Sequence, residues 1–262
     1  MTLLLSELDT ETLAKTLASG RAIALVPIGS TEPHGPHLPL ATDAILSVET
    51  CLRAARVLTD KGRTTLVAPT VPYGVTRYAR DFRGAIGVSA ATLTALLLDV
   101  GRALLDDGFS HVAFVNNHLE PEHAEAIDAA FQTLEAEHGP NAVSFPNQLT
   151  RRWARTLTDE FKRGDCHAGR YETSLVLATR ADLVGDSALL PKLDISLAAA
   201  LREGEVTFAG IGMTRAYTGA PAEGTAAEGE STYAKLVTMV VTEIAERASD
   251  DDDTAEHAGV RP

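Results

Sequence analysis

Three short stretches hold the residues best suited to chemistry. The first carries Glu32, His34 and Asp43, with His37 between them and glycine and proline interspersed. Glu32 and His34 are two apart, so an extended backbone projects both to one side. Pro33 biases Glu32 toward that extension. The second stretch carries His118 and Glu120 at the same spacing, again with proline directly after the glutamate. The third is Asp165-Cys166-His167-Ala168-Gly169-Arg170-Tyr171-Glu172-Thr173-Ser174. Neutral imidazoles beside carboxylates are the ligand set of zinc and manganese. Each stretch also has an ordinary reading: a rigid proline-rich loop with solvated histidines, a helix-capping aspartate at 43, a capping glutamate at 120. The three together, each at a strand end or a helix start, favour a metal centre.

The elements around them alternate. An apolar strand over 22–27 runs into the first stretch and another over 111–115 into the second. Helical patterns cover 7–19, with Gly20 as a stop, then 42–58, 90–105 and 122–137. Ser89 is placed to cap the third helix and Glu120 the fourth, with Pro121 at its first position. Shorter strands are expected at 64–68 and 142–145. Further helices are expected over 148–162, from 175 onward, and over 228–248. This order predicts an α/β fold: a mainly parallel sheet with helices on both faces and right-handed connections. Residues 1–248 read as one domain and 249–262 as an acidic, disordered tail. In such folds ligands bind beyond the carboxyl ends of the strands, where the first two stretches lie.

Composition narrows the function. The chain has 262 residues, 45% hydrophobic, and a formal charge of −13. That charge argues against nucleic acid, whose binders carry basic stripes. No apolar run is long enough to span a membrane, and the amino terminus lacks the pattern of a secretory signal. Two cysteines, Cys51 in an apolar helix and Cys166 beside His167, suggest no disulfide framework and fit a reducing cytoplasm. Gly29-Ser30-Thr31 is no phosphate loop, and Ser30, Ser89 and Ser174 lack a nucleophile-elbow setting.

The runs Gly29-Ser30-Thr31-Glu32-Pro33-His34-Gly35-Pro36-His37-Leu38-Pro39, Asn116-Asn117-His118-Leu119-Glu120 and His167-Ala168-Gly169-Arg170-Tyr171-Glu172-Thr173-Ser174 resemble the creatininase (creatinine amidohydrolase) family in order and spacing. The resemblance covers about residues 20 to 240. It implies two divalent ions, zinc and/or manganese, and a homo-oligomer, often a hexamer. It implies hydrolysis of a non-peptide C–N bond in a small cyclic or linear amide by a metal-activated hydroxide. Glu32, His34, Asp43, His118 and Glu120 then correspond to ligands, with Asp43 bridging. His167 corresponds to the catalytic histidine that protonates the departing nitrogen, and Glu172 to a further acidic group, counted here as catalytic. Thr76 and Tyr78, in the turn-rich stretch after Ala68-Pro69, are candidate substrate contacts, with an ordinary loop as the equal alternative. Trp153 is a candidate substrate contact as well, since family members use tryptophans near the substrate in this region, but core packing is its favoured reading. His37 is expected to support a ligand rather than to be one, and His123 to face outward from its helix.

The chain departs from the family at three places. Leu119 replaces an aromatic residue that holds creatinine, Arg170 a common glutamate, and Ala79 a common histidine. The metal set is thus kept while the substrate wall is altered. The alternatives are a deformylase-like hydrolase of a biosynthetic intermediate and a non-hydrolytic, metal-stabilised partner in peptide maturation.

Overall fold

The computed structural model describes residues 2–18, 20–200, 204 and 207–248, so the acidic tail lies outside the described residues. The chain opens with helix α1 (Thr10–Leu17), whose N-cap Asp9 accepts from the Thr12 amide. Strand β1 (Ile23–Ile28) follows, then α2 (Thr42–Asp60), β2 (Thr65–Val67), α3 (Ala90–Asp106), β3 (His111–Asn116), α4 (Pro121–His138) and β4 (Val143–Ser144). Among the described residues, five further α-helices follow: α5 (Arg151–Ala154), α6 (Asp159–Arg163), α7 (Arg170–Arg180), α8 (Leu197–Ala200) and α9 (Ala226–Arg247).

The four strands form one parallel sheet in the order β2-β1-β3-β4. Ile23 pairs with both Thr65 and His111, and Ile28 with Asn116. Strands β1 and β3 are buried along their whole length, as a sheet covered on both faces requires. Successive side chains divide the core in two. Ile23, Leu25, Ala113 and Val115 join a cluster built with α2, α7 and α9. Ala24, Val26, Val112 and Phe114 join the opposite cluster, built with α3 and α4. A third, small cluster of Ala79, Phe208, Met213 and Ala216 stands apart from both. No helix among the described residues is long and apolar enough to cross a membrane.

Most expected elements form within a few residues of their predicted ends. Ser89 caps α3 through the Thr92 amide, and Cys51 is a core residue. The helix expected over 148–162 is instead two short helices, α5 and α6. The break has a local cause: the Thr158 hydroxyl accepts from the Phe161 amide, and this cap starts a new helix with Asp159 and Glu160 in its first turn.

Candidate metal centre

Loops at the carboxyl edge of the sheet meet the first turns of α2 and α7 here. Beyond β1 the chain places Glu32 and His34. The His34 Nδ1–H donates to the Glu32 carbonyl at 3.1 Å, which leaves Nε2 facing inward. Asp43, in the first turn of α2, brings Oδ1 to 3.0 Å from that Nε2 and Oδ2 to 3.0 Å from His118 Nδ1. His118 follows β3 and donates its Nε2–H to the Val75 carbonyl at 2.6 Å. His167 donates its Nε2–H to the Pro33 carbonyl at 3.0 Å, leaving Nδ1 3.8 Å from Glu32 Oε1. Backbone carbonyls therefore hold the far nitrogens of three imidazoles, and the near nitrogens converge on carboxylates.

The carboxylates are held as firmly. Glu32 Oε2 accepts the Thr76 hydroxyl, while its Oε1 lies 3.3 Å from His118 Nδ1. Glu120 is the N-cap residue of α4 by position, yet its carboxylate accepts the Arg77 amide (3.0 and 2.9 Å) and the Tyr78 amide (3.3 Å) instead. Glu172 Oε2 lies 3.5 Å from His34 Nε2 and accepts the Ala168 amide at 2.6 Å. Ala168 has φ 48°, the left-handed region, where a side chain costs about 1 kcal/mol or more. The bond to Glu172 helps hold that strained turn beside His167.

Electrostatics matches this geometry. Burial alone would push the His34 imidazole down, but Asp43, Glu172 and Glu32 outweigh it and raise it to about 10. His118 is raised in the same way by Glu32 and Asp43. Asp43 is buried too, yet the two imidazoles hold its carboxyl well below the usual range. Glu172 is pushed up to about 7, first by burial. The cluster draws positive charge inward, and a proton is one form of it. The donor set fits divalent cations as well. His34 Nε2 and Asp43 Oδ2 are buried without a hydrogen-bond partner despite the short separations. Three sets of ligand atoms lie within 4.8 Å of one another: Glu32/His34/His167, Glu32/His118/Glu120 and His34/Asp43/Glu172.

Glu32, Asp43, His118, Glu120, His167 and Glu172 line a cavity of about 60 Å³. Its remaining wall is Tyr78, Leu119, Cys166, Leu197 and Phe208. The Phe208 ring centroid is 4.3 Å from that of His167.

The seven residues expected at the metals or in catalysis thus come together, and Tyr78 lies on the wall. Two candidate substrate contacts lie off the wall, and the outward orientation expected of His123 is corrected. Thr76 is absent from the cavity wall, because its hydroxyl is committed to Glu32. Trp153 packs in the core beneath the Arg152 guanidinium, and its indole N–H donates to Glu243 of α9 at 2.6 Å. His123 is fully buried, edge-on to His118 with centroids 4.6 Å apart. Its position was readable: Ile127, Ala130 and Leu134, at helical spacing from it, form the buried face of α4. His37 touches none of the ligand atoms; its Nε2 meets the Thr173 hydroxyl at 2.9 Å, which ties the first loop to α7. Glu160 had no sequence signal. Its carboxylate accepts the Arg170, Tyr171 and Ala220 amides and so caps α7 from outside the helix.

A parallel sheet with buried imidazoles and carboxylates along its carboxyl edge defines an α/β protein with candidate metal-ligand groups at that edge. The family model described as Creatininase: Creatinine amidohydrolase matches residues 6–244, and the chain belongs to the creatininase family. It is 34% identical over 254 residues to a mycofactocin precursor peptide peptidase of Mycobacterium ulcerans (strain Agy99), covering 92% of this chain and 91% of that one. It is 28% identical over 185 residues to a creatinine amidohydrolase of Pseudomonas putida, covering 64% and 68%. A solved structure designated Creatininase Mn shares the fold, with a TM-score of 0.70 at 21% identity over 95% of this chain and 100% of that one.

Proposed function

We propose that the protein hydrolyses an amide C–N bond with two divalent cations, zinc or manganese, held by Glu32, His34, Asp43, His118, Glu120 and Glu172. The observation that carries this reading is the pair of buried, unpartnered atoms, His34 Nε2 and Asp43 Oδ2, within a ring of oriented imidazoles and carboxylates. Such cations, when bound, lower the pKa of water toward ~7 and draw charge from an amide oxygen.

The chain's own residues supply the rest. Asp43 turns one oxygen toward His34 and the other toward His118, so it would be placed to help hold both cations when they bind. The free Nδ1 of His167 takes the proton of the attacking water and delivers it to the departing nitrogen. Burial and the neighbouring His34 push that imidazole down to about 4, so its Nδ1 is unprotonated at neutral pH and ready to receive. Leu119, Leu197 and Phe208 exclude bulk water. Cys166 lines the wall, and none of the candidate ligand sets among the described residues includes its sulfur.

Two substrate classes share this chemistry. One is a small non-peptide amide of the creatininase kind. A peptide amide is the second reading, favoured by 34% identity over 92% of the chain to a peptide peptidase, against 28% over 64% to a creatinine amidohydrolase. Leu119 on the wall, in place of a creatinine-holding aromatic residue, agrees with it. The test is elemental analysis, then incubation with creatinine, formyl amides, linear amides and short peptides. Release that stops on chelation and returns with Zn²⁺ or Mn²⁺ is expected. Bound metal with no release from any of these amides would leave the non-hydrolytic partner in peptide maturation as the better account.

A further inference from the structure

The irregular segment between β2 and α3 touches three of the groups assigned above to metal. The Val75 carbonyl accepts from His118, the Thr76 hydroxyl donates to Glu32, and the Arg77 and Tyr78 amides donate to Glu120. Backbone bonds hold the two ends of this segment: the Val71 amide donates to the Pro27 carbonyl, the Val88 amide to the Gly74 carbonyl and the Phe208 amide to the Tyr78 carbonyl. Between them, His123 holds the stretch that reaches the metal-centre groups. Its Nδ1 accepts the Val75 amide at 3.2 Å, and its Nε2–H donates to Asn116 Oδ1 at 3.0 Å. Asn116 in turn clamps the His118 peptide, accepting its N–H at 3.0 Å and donating to its carbonyl at 2.6 Å.

The circuit closes. Val75 offers its carbonyl to one histidine and its amide to the other, and Asn116 joins both. One ring nitrogen of His123 must accept while the other donates, which only the neutral Nε2–H tautomer can do. Gly74 leaves room for the ring: a Cβ there would lie 2.5 Å from His123.

From this circuit we infer that His123 is a positioning residue for the metal centre. It sets residues 74–78, and through them the aim of His118, Glu32 and Glu120, without itself touching cation or substrate. The inference rests on the metal-centre reading and goes beyond it, since it assigns the preorganisation of three ligands to one buried imidazole. Outer-shell partners of this kind typically change metal affinity by about 10–100-fold.

The test compares wild type with His123→Phe, which keeps a ring and removes both bonds, and His123→Asn, which keeps an acceptor near the Nδ1 position. Zn²⁺ affinity is titrated against a chelating indicator, and the visible spectrum of the Co²⁺-loaded protein reports ligand geometry. Far-UV circular dichroism and melting of the metal-stripped proteins control for folding. Expected are a 10–100-fold loss of affinity and an altered Co²⁺ spectrum in His123→Phe, with partial recovery in His123→Asn. Should His123→Phe fail to fold, Gly74→Ala crowds the same ring and is read in the same way. Variants that match wild type in affinity and spectrum overturn the positioning role alone. A wild-type protein that binds neither ion overturns the metal centre and this inference together.

Discussion

His34 and His167 sit with ring centroids 4.6 Å apart, yet their proton affinities diverge. His34 faces Asp43 and Glu172 at 3.0 and 3.5 Å and is raised to about 10. His167 meets its nearest carboxylate at 3.8 Å, lies against Phe208, and is pushed down to about 4. One imidazole is built to hold positive charge and the other to stay free of it, which separates gripping a cation from moving a proton. Asp43→Ala should therefore lose bound metal and activity together, read by elemental analysis beside a hydrolysis assay. His167→Gln should keep its metal and lose about 10²–10⁴-fold in kcat, the usual worth of a general acid–base group. Loss of metal from His167→Gln would make His167 a ligand, an arrangement its distance from Glu32 and His34 also permits. At this scale residue type and spacing made the candidate ligands legible. The supports of those ligands were not legible, because most are backbone amides and carbonyls, which every residue carries.

Helices α7 and α9 pack unusually close. A Cβ at Gly229 would lie 2.0 Å from the Ser174 carbonyl oxygen, and the Ser174 hydroxyl accepts the amide of Thr225, the N-cap of α9. Gly229→Ala would gain about 1 kcal/mol in helix propensity. The clash is with backbone that cannot swing aside, so overpacking outweighs that gain, with a net loss of about 1–3 kcal/mol. Urea unfolding monitored by circular dichroism measures it; an unchanged or higher midpoint would mean that the helices separate freely. Activity should fall as well, since α7 carries Glu172. The same packing shows why alternation of strands and helices was readable while the 148–162 break was not. Long periodic faces bury themselves predictably, whereas a single threonine cap at Thr158 overrides propensity within one turn.

Across the whole molecule, acid acts on the fold through buried imidazoles held neutral, His111 first among them. His111 is buried at the start of β3, with Nδ1–H donating to the Asn141 carbonyl at 2.7 Å and Nε2 at 2.8 Å from the Ser144 hydroxyl. Burial lowers it to about 4. The folded protein thus favours the neutral ring, while the unfolded chain takes up a proton near the ordinary value of about 6.5. That stability is fully present above about pH 6.5 and is lost as pH falls toward 4, by about 3 kcal/mol for this group. His37 and His123 are lowered mainly by burial too and act in the same direction. Glu172, pushed up to about 7, acts in the opposite direction over the same range. The readout is therefore the difference: between pH 7.5 and 4.5 the urea midpoint of wild type should drop relative to that of His111→Gln. Metal removal acts on the same balance: an ion present at about 1,000 times its dissociation constant adds about 4 kcal/mol, so chelation should lower the melting temperature by several degrees. Equal melting with and without chelator would place the ions outside the folded core.

Local chemistry was written into the chain itself. Imidazoles and carboxylates two residues apart, each after an apolar strand run, determined what kind of candidate ligand stands at which strand end, because periodicity and proline act within a few residues. Only the tertiary structure decided which distant groups meet. Thr76 reaches Glu32, Val75 divides itself between His118 and His123, and Pro33 holds His167. Bonds across more than forty positions of sequence exist only once the sheet has stacked its loops at one edge, and a backbone carbonyl gives no sign in the sequence of the imidazole it will hold.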